Sequence, residues 1–282
     1  MIFKKKWFLI ILIIVLLILI IVILPFYRIN IKNPSNQPIV VLGLDTELGM
    51  QNDVPFVLDF LKQENISATF FVNGDFIEQH LDIAKLIANS SNEFASHSHV
   101  HVNHAKLNEQ QQDMLIKDQK IIAKQLLDKE VIGFRAPYRM INSKTLKILK
   151  YQGFKYSADY HCNNHPFIFP LSKITPHPTS CNKNSFIYIL PGIFGYPIDD
   201  DYLFRYSKLS EEKALKITKE AFDKSIKEKN VFIFAGHPSM VWSKINYFRS
   251  FIEYAKSKNA IFLTHAQLQE LIDKNPKLVK IN

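Results

Sequence analysis

Two histidines four residues apart, His97 and His101, follow a short apolar run that is typical of a β-strand. On a helical or turn-like backbone this spacing directs both imidazoles to one side, close enough to bind a single metal ion. Two histidines leave such an ion short of ligands, so a carboxylate is expected from elsewhere, with positions left open for water. The alternative is a histidine-rich polar loop that binds no metal.

Other residues with chemical potential also follow strand-like runs. Asp45 and Glu47 come after the first such run, and either carboxylate could complete the metal site. Arg135 taken alone is typical of a surface ion pair, and His237 taken alone is typical of a half-buried polar group. Both stand close to prolines in what look like tight turns at strand ends, and this context favours a functional role.

The elements that must position these side chains alternate between short apolar strands and amphipathic helices from residue 38 onward. Strands are predicted at 39–44, 68–72, 93–96, 131–134, 155–157, 186–190, 231–234 and 260–263, and helices at 55–63, 75–87, 109–127, 143–152, 210–228, 245–258 and 266–273. This alternation predicts an α/β fold with a mostly parallel sheet, closed into a barrel or near-barrel. Because strand ends share one face of such a barrel, residues nearly 200 positions apart can meet in one pocket.

Composition limits the classes of partner. The 282 residues are 47% apolar, which is enough for one sizeable core beyond residue 38. The net charge of +9 comes from scattered lysines rather than arginine-rich runs, which favours an anionic membrane surface or an acidic ligand and argues against nucleic acid. Cys162 and Cys181 could form one disulfide or remain two free thiols.

The amino-terminal segment is apolar enough to cross a membrane. Residues 1–6 form a basic stub, and residues 7–27 form an uninterrupted apolar run of about the length that spans a bilayer. No small-x-small cleavage site ends the run, so an uncleaved transmembrane anchor is predicted rather than a signal peptide. Residues 28–37 are predicted to be a linker and 38–282 the catalytic domain. The positive-inside rule predicts a single-pass inner-membrane protein whose domain lies on the periplasmic or extracellular side.

The motifs resemble those of a known family. In order along the chain stand Asp45-Thr46-Glu47, His97-Ser98-His99-Val100-His101, Arg135-Ala136-Pro137-Tyr138 and Gly236-His237-Pro238. These are similar to the motifs of the polysaccharide deacetylase family, the NodB-homology or family-four carbohydrate esterases, over about residues 39–271. The resemblance implies a distorted (β/α) barrel, one divalent metal ion with zinc as the expected ion, and hydrolysis of an N-acetyl group on a sugar.

Roles follow from the matching positions. The resemblance implies Asp45 as the general base, Glu47, His97 and His101 as metal ligands, and His237 as the acid that protonates the leaving amine. It also implies that Arg135 orients the base and pairs with Asp159. Tyr138 and its neighbour Pro137 would contact the substrate, as would Trp242, which stands beside the last motif. One residue separates Asp45 from Glu47, whereas many members have adjacent acids, so the roles of base and ligand could be exchanged.

The substrate is expected to be an amino sugar of the cell envelope. Short pieces at 53–55, 156–159 and 189–191 resemble the branch of the family that acts on undecaprenyl-phosphate-linked amino sugars. The hypothesis is therefore a membrane-anchored, metal-dependent N-deacetylase of an envelope glycan or of its lipid-linked precursor. The alternatives are a deacetylase of peptidoglycan or exopolysaccharide, and a non-catalytic carbohydrate-binding member of the fold.

Overall fold

The computed structural model describes residues 29–159, 175–176 and 198–281. The expected membrane span at 7–27, the predicted strand at 186–190 and both cysteines lie outside the described residues. Within the described ranges, no helix combines the length and the apolar character that crossing a membrane would need.

The central element is a nine-stranded sheet in which every pairing is parallel. The strands of the chain are β1 (Ile29–Ile31), β2 (Ile39–Thr46), β3 (Thr69–Val72), β4 (Glu93–Ser96), β5 (Gly133–Phe134), β6 (Tyr156–Ser157), β7 (Thr175–Pro176), β8 (Ile198–Asp199), β9 (Phe232–Gly236), β10 (Ile261–Leu263) and β11 (Val279–Ile281). The order across the sheet is β7-β6-β5-β4-β3-β2-β9-β8, and β10 pairs with the amino-terminal half of β2. The predicted parallel α/β sheet is thus present.

Helices follow most of the strands. They are α1 (Val54–Gln63), α2 (Gly74–Gln79), α3 (Leu81–Ala88), α4 (Glu109–Leu127), α5 (Ser143–Tyr151), α6 (Glu211–Lys227), α7 (Pro238–Ser243), α8 (Ile245–Ser257) and α9 (His265–Lys274). Local sequence explains several ends: Asn108 and Gln111 form a capping box at the start of α4, and Asp128 ends it in a left-handed conformation. The single helix predicted at 75–87 is two helices, because His80 adopts a non-helical conformation.

The sheet curls into an open barrel. β5 and β2 are three positions apart in the sheet, which would be about 14 Å in a flat one. Arg135, directly after β5, nevertheless lies 2.8 Å from Asp45 in β2. Arg139 likewise pairs with Asp199 in β8, near the far edge of the sheet. No pairing joins β7 to β8 among the described residues, so the barrel is distorted and open at this seam.

The first strand lies at the end of the barrel opposite the carboxyl ends of the parallel strands. β1 pairs antiparallel with β11, and the next two residues are bonded to the loop that precedes β9. There the Asn33 amide donates to the Lys229 carbonyl at 2.9 Å, and the Lys32 ammonium donates to the Glu228 carbonyl at 3.0 Å. Residues 29–33, inside the segment predicted as a linker, are therefore fixed to the amino-terminal face of the barrel.

The main hydrophobic core lies between the sheet and its covering helices. β2 is buried along its whole length, which explains its nearly unbroken apolar sequence. An aromatic cluster joins β9 to the helices on that side, with Phe222, Phe232 and Phe251 in mutual ring contact. Burial of each such ring contributes about 1.5–3 kcal/mol to stability. The strand ends that carry polar residues are consequently held on a rigid framework.

Candidate metal and catalytic site

The polar residues that the motifs single out meet at one end of the barrel. Asp45 lies at the end of β2 with Glu47 just beyond it, and His97, Arg135 and His237 each directly follow their strands. In a parallel sheet these are the carboxyl ends, so the expected convergence on one face is what the topology produces.

Three of these residues form a group with the composition of a metal site. One ligand atom from each of Glu47, His97 and His101 lies within 4.8 Å of the other two. His101 Nε2 is 3.2 Å from Glu47 Oε1. His97 Nδ1 is 2.7 Å from the Arg135 carbonyl, so it carries the proton and donates, while its Nε2 is buried and has no hydrogen-bond partner among the described residues.

The buried Nε2 of His97 has the properties of a metal ligand. Burial lowers the pKa of His97 to about 3, so the imidazole is neutral and Nε2 presents a lone pair. A buried acceptor without a partner is costly unless a ligand occupies it. Nitrogen and carboxylate donors of this kind suit a divalent transition metal such as zinc, and two histidines with one carboxylate leave further positions for water and substrate.

The backbone between the two histidines is a bent loop rather than a helix. Ser98 has a φ of 68°, a left-handed conformation that turns the chain between His97 and His101. The side-chain amide of Asn73 donates to the His97 carbonyl at 2.6 Å. The backbone amide of His97 donates to the Val72 carbonyl at 3.0 Å. Tertiary hydrogen bonds thus fix the backbone of His97 at the end of its strand.

Glu47 lies between His101 and His237. Burial, together with the negative charge of Asp45, raises the pKa of Glu47 to about 7, although nearby His237 opposes the rise. Its Oε1 is 3.8 Å from His237 Nε2. Glu47 is therefore poised between its neutral and charged forms near pH 7, and a bound cation would favour the carboxylate.

Asp45 is held by two buried arginines. Arg135 Nη1 donates to Oδ1 at 2.8 Å, and Arg139 Nε lies 3.6 Å from Oδ2. Burial alone would raise the pKa of Asp45, but the positive charges of Arg135 and Arg139 outweigh it and hold the pKa well below its usual range. Asp45 is thus a fixed carboxylate.

His237 is paired with an aspartate that lies in another element. Its Nδ1 is 2.9 Å from Asp200 Oδ1, and its backbone amide donates to Asp200 Oδ2 at 2.7 Å. Burial lowers the pKa of His237, but Asp200 more than compensates, with help from Asp45 and Asp201, and the pKa rises to about 9. A Cβ at Gly236 would lie 2.9 Å from Asp200 Oδ2, so the glycine allows this close approach. His237 is therefore a protonated imidazolium at neutral pH, with Nε2 turned toward Glu47.

Asp159 does not pair with Arg135 as the sequence predicted. Its carboxylate accepts hydrogen bonds from the Ala136 amide and the Ser157 hydroxyl instead. The Arg135 guanidinium is directed to Asp45 and to the Ala158 carbonyl. Asp159 turns back onto the backbone beside its own strand, so its contacts fix the loop that carries Arg135.

The three expected substrate-contacting residues occupy different positions. Tyr138 is 60% exposed, and its ring packs on His101 with centroids 4.4 Å apart, so it lies at the mouth of the metal group. Pro137 is buried at the start of the same turn. Trp242 lies in α7, five residues after His237, and stacks on Phe56 of α1 with ring centroids 4.4 Å apart. Both rings of this pair are partly exposed.

Sequence reasoning missed several residues of the site. The sequence motifs gave no role to three charged residues that the structure places in the site. Arg139 contacts Asp45 and Asp199, and Asp200 contacts His237. The signal available was the run of three acids at 199–201 together with an arginine four residues after Arg135. Asp200, Asp201 and His237 also form a second group of possible ligands within 4.8 Å of one another.

Comparison with known proteins agrees with this geometry. Residues 32–157 match the sequence model of the polysaccharide deacetylases. Over this range, which is under half of the chain, the sequence is similar to the polysaccharide deacetylase family. A peptidoglycan-N-acetylglucosamine deacetylase of Bacillus cereus is 33% identical over 129 residues, which are 45% of this chain and 46% of that protein. The chain therefore matches about half or less of the length of its curated relatives.

Solved structures share the fold. A candidate polysaccharide deacetylase from Mycobacterium smegmatis superposes with a TM-score of 0.69 and 17% identity, covering 88% of this chain and 94% of that one. A pseudoenzyme of carbohydrate esterase family four from Bacillus anthracis superposes with a TM-score of 0.59 and 16% identity, covering 84% and 67%. The fold thus occurs in proteins described as deacetylases and in one described as a pseudoenzyme.

Proposed function

We propose that the protein is a metal-dependent N-deacetylase that removes acetyl groups from amino sugars of an envelope glycan. The observation that carries the proposal is the buried, unpartnered His97 Nε2, which converges with His101 and Glu47 beside the Asp45–Arg135 pair. A non-catalytic carbohydrate-binding protein would not need both a fixed carboxylate and a protonated imidazole beside this group.

Different residues of the chain supply the base and the acid for amide hydrolysis. Asp45 stays ionised and is held by Arg135, so it can accept the proton of an attacking water. His237 carries a proton on Nε2 and is held by Asp200, so it can donate that proton to the departing amine. A divalent metal held by Glu47, His97 and His101 would polarise the acetamide carbonyl and acidify the attacking water.

Exposed rings at the mouth suit a carbohydrate. Tyr138 presents an exposed ring beside His101, and the Phe56–Trp242 pair lies at the start of α1 and within α7, on the same end of the barrel. Aromatic faces pack well against the apolar faces of sugar rings. The names of the curated relatives, which include peptidoglycan deacetylases, support the same substrate class.

A polymeric glycan is favoured over a lipid-linked sugar by the position of β1. If residues 7–27 anchor the chain in a bilayer, the anchor ends next to β1 on the amino-terminal face of the barrel. The eight residues of β2 extend about 26 Å from that face toward the site. Because residues 29–33 are bonded to the barrel, little free linker remains. The mouth would then face away from the bilayer, toward a cell-wall or extracellular polymer.

Metal content and acetate release test the enzymatic proposal. The purified protein should contain about one divalent ion per chain and should release acetate from N-acetylglucosamine oligomers. A chelator should remove the ion and the activity together. A protein that binds the oligomers but releases no acetate with metal bound would be the non-catalytic alternative.

A second experiment compares substrates and anchoring. Full-length protein in vesicles and a chain starting at Arg28, which keeps β1, are assayed on peptidoglycan and on an amino sugar linked to polyprenyl phosphate in the same vesicles. We expect both proteins to prefer the polymer. A strong preference of the full-length protein for the vesicle-borne sugar, lost on truncation, would restore the lipid-linked precursor as the substrate.

A further inference from the structure

A histidine in the barrel interior contacts the arginine of the proposed active site. His265 is the first residue of α9 and is fully buried. Its Nε2 is 3.4 Å from Arg135 Nη2. None of the motifs considered above includes His265, and it lies more than one hundred residues beyond Arg135 in the chain.

The hydrogen bonds around His265 determine its tautomer. The Thr69 hydroxyl donates to Glu93 Oε2 at 2.8 Å, so its oxygen is left to accept from the His265 amide at 2.9 Å and from Nδ1 at 3.1 Å. Nδ1 therefore carries the proton, and Nε2 is an acceptor. An arginine has only donors, so the contact between Nε2 and Arg135 requires this same tautomer.

The Glu93 carboxylate holds Thr69 and the start of α9 in place. It also accepts from the Tyr156 hydroxyl at 2.6 Å and from the Ala266 amide at 2.8 Å. The Tyr156 ring stacks on the His265 ring with centroids 5.9 Å apart. The imidazole is thus fixed by hydrogen bonds in its own plane and by an aromatic ring on its face.

Arg135 is satisfied on each of its three nitrogens. Nη1 donates to Asp45, Nε donates to the Ala158 carbonyl, and Nη2 faces His265. The guanidinium also lies 4.0 Å from the centre of the Phe71 ring. Losing any one of these partners would leave a further donor of a fully buried cation without an acceptor, so the plane of the guanidinium depends on all three.

Gly43 provides the space for this contact. A Cβ at this position would lie 2.4 Å from Arg135 Nη2 and 2.8 Å from His265 Cε1. Arg135 and His265 therefore meet directly over the backbone of β2, two residues before Asp45. Any side chain there would separate them.

We propose that His265 is a positioning residue for deacetylation: its Nε2 fixes the plane of the Arg135 guanidinium, and Arg135 in turn fixes the Asp45 carboxylate. The inference rests on the proposed function. Its structural part, the hydrogen bond to Arg135, can be tested whether or not the protein is an enzyme.

Nitrogen NMR of the wild-type protein tests the hydrogen bond. The ¹⁵N shifts of the ten histidines report which ring nitrogen carries the proton, and the signal of His265 is assigned by its loss in His265→Gln. We expect a neutral ring with the proton on Nδ1 and a bare Nε2. A proton on Nε2 would overturn the proposal, because that nitrogen could then not accept from Arg135.

Two matched variants test the effect on catalysis. His265→Gln places an amide oxygen near the position of Nε2 and can still accept from Arg135, whereas His265→Asn keeps a donor near Nδ1 for Thr69 but does not reach the arginine. We expect kcat on N-acetylglucosamine oligomers to fall about 10–100-fold in the Asn variant with little change in KM, and only about threefold in the Gln variant.

Thermal unfolding of both variants separates positioning from folding. If the two lose kcat equally, or if the loss follows the fall in Tm, His265 has only a structural role and the proposal is wrong. If wild-type protein with bound metal releases no acetate, the proposed function fails and the catalytic role of His265 fails with it. The tautomer measured in the wild type would then still decide whether the hydrogen bond to Arg135 exists.

Discussion

Asp200→Asn should change the pH dependence of the reaction more than its rate at low pH. In the proposed mechanism His237 must be protonated to donate to the leaving amine, so activity should fall as the pH rises through its pKa. Asp200 is the main reason that this pKa is about 9 rather than the ordinary 6.5. Without that charge the burial of His237 dominates, and the alkaline limb of the kcat/KM profile should move down by about 2.5 pH units or more. This difference corresponds to about 3.4 kcal/mol.

The size of the effect can be worked out at two pH values. With a pKa of about 9, some nine-tenths of His237 is protonated at pH 8; with a pKa at or below 6.5, only about 3% is. For a pKa of 6.5 the protonation effect alone is then about 30-fold at pH 8 and less than about twofold at pH 6. A pKa below 6.5 would make the effect larger at both pH values. If Asp200→Asn also misorients the His237 ring, the rate falls by a further factor that does not depend on pH.

The assay is acetate release across pH 6–9 with metal content measured in parallel. Asp201→Asn is the matched control, because Asp201 Oδ1 is 3.9 Å from His237 Nδ1, whereas Asp200 Oδ1 is 2.9 Å away. The control should keep an alkaline limb close to that of the wild type. An unmoved limb in Asp200→Asn would refute the assignment of His237 as the acid, and loss of metal in that variant would mean that the ion is bound by the second acidic group.

Further predictions concern the metal group and the support of Asp45. His97→Ala should lose bound metal and activity while keeping a cooperative unfolding transition by circular dichroism; full metal occupancy would contradict its role as a ligand. Asp45→Asn should keep the metal and lose about 10²–10⁴ in kcat, whereas Glu47→Gln should weaken metal binding measured by titration, and the reverse pattern would exchange their roles. Gly43→Ala should lower the free energy of unfolding in urea by about 1–3 kcal/mol and reduce kcat, because the new methyl group displaces Arg135; wild-type stability and kcat would show that the interior can adapt.

The sequence by itself determined the order of elements and the polar residues at strand ends. β4 and α4 lie at the predicted residues, 93–96 and 109–127. Unbroken apolar runs identify buried parallel strands, and turn residues mark their ends, so these boundaries depend on local properties of the chain. The convergence of His97, His101 and Glu47 followed from the rule that parallel strands share a carboxyl face.

Only the tertiary structure decided which polar groups touch. Asp159 and Asp200 are both acids that follow strands. Sequence spacing could not show that Asp200 pairs with His237 of the proposed site, whereas Asp159 bonds to the Ala136 amide. His104 is likewise buried against Ser98, although it stands in a polar stretch that reads as exposed. Such pairings depend on how far the sheet curls, and curl is the sum of small twists over many strands.

The contact between His265 and Arg135 has the same origin. The two residues are 130 positions apart, and the sequence around His265 reads only as the start of an amphipathic helix. Their meeting requires β10 to pair with β2 in one register and Gly43 to leave a gap at that level. A residue type and its neighbours in sequence fix what a side chain can donate or accept, but the fold determines which partner lies within 3.5 Å of it.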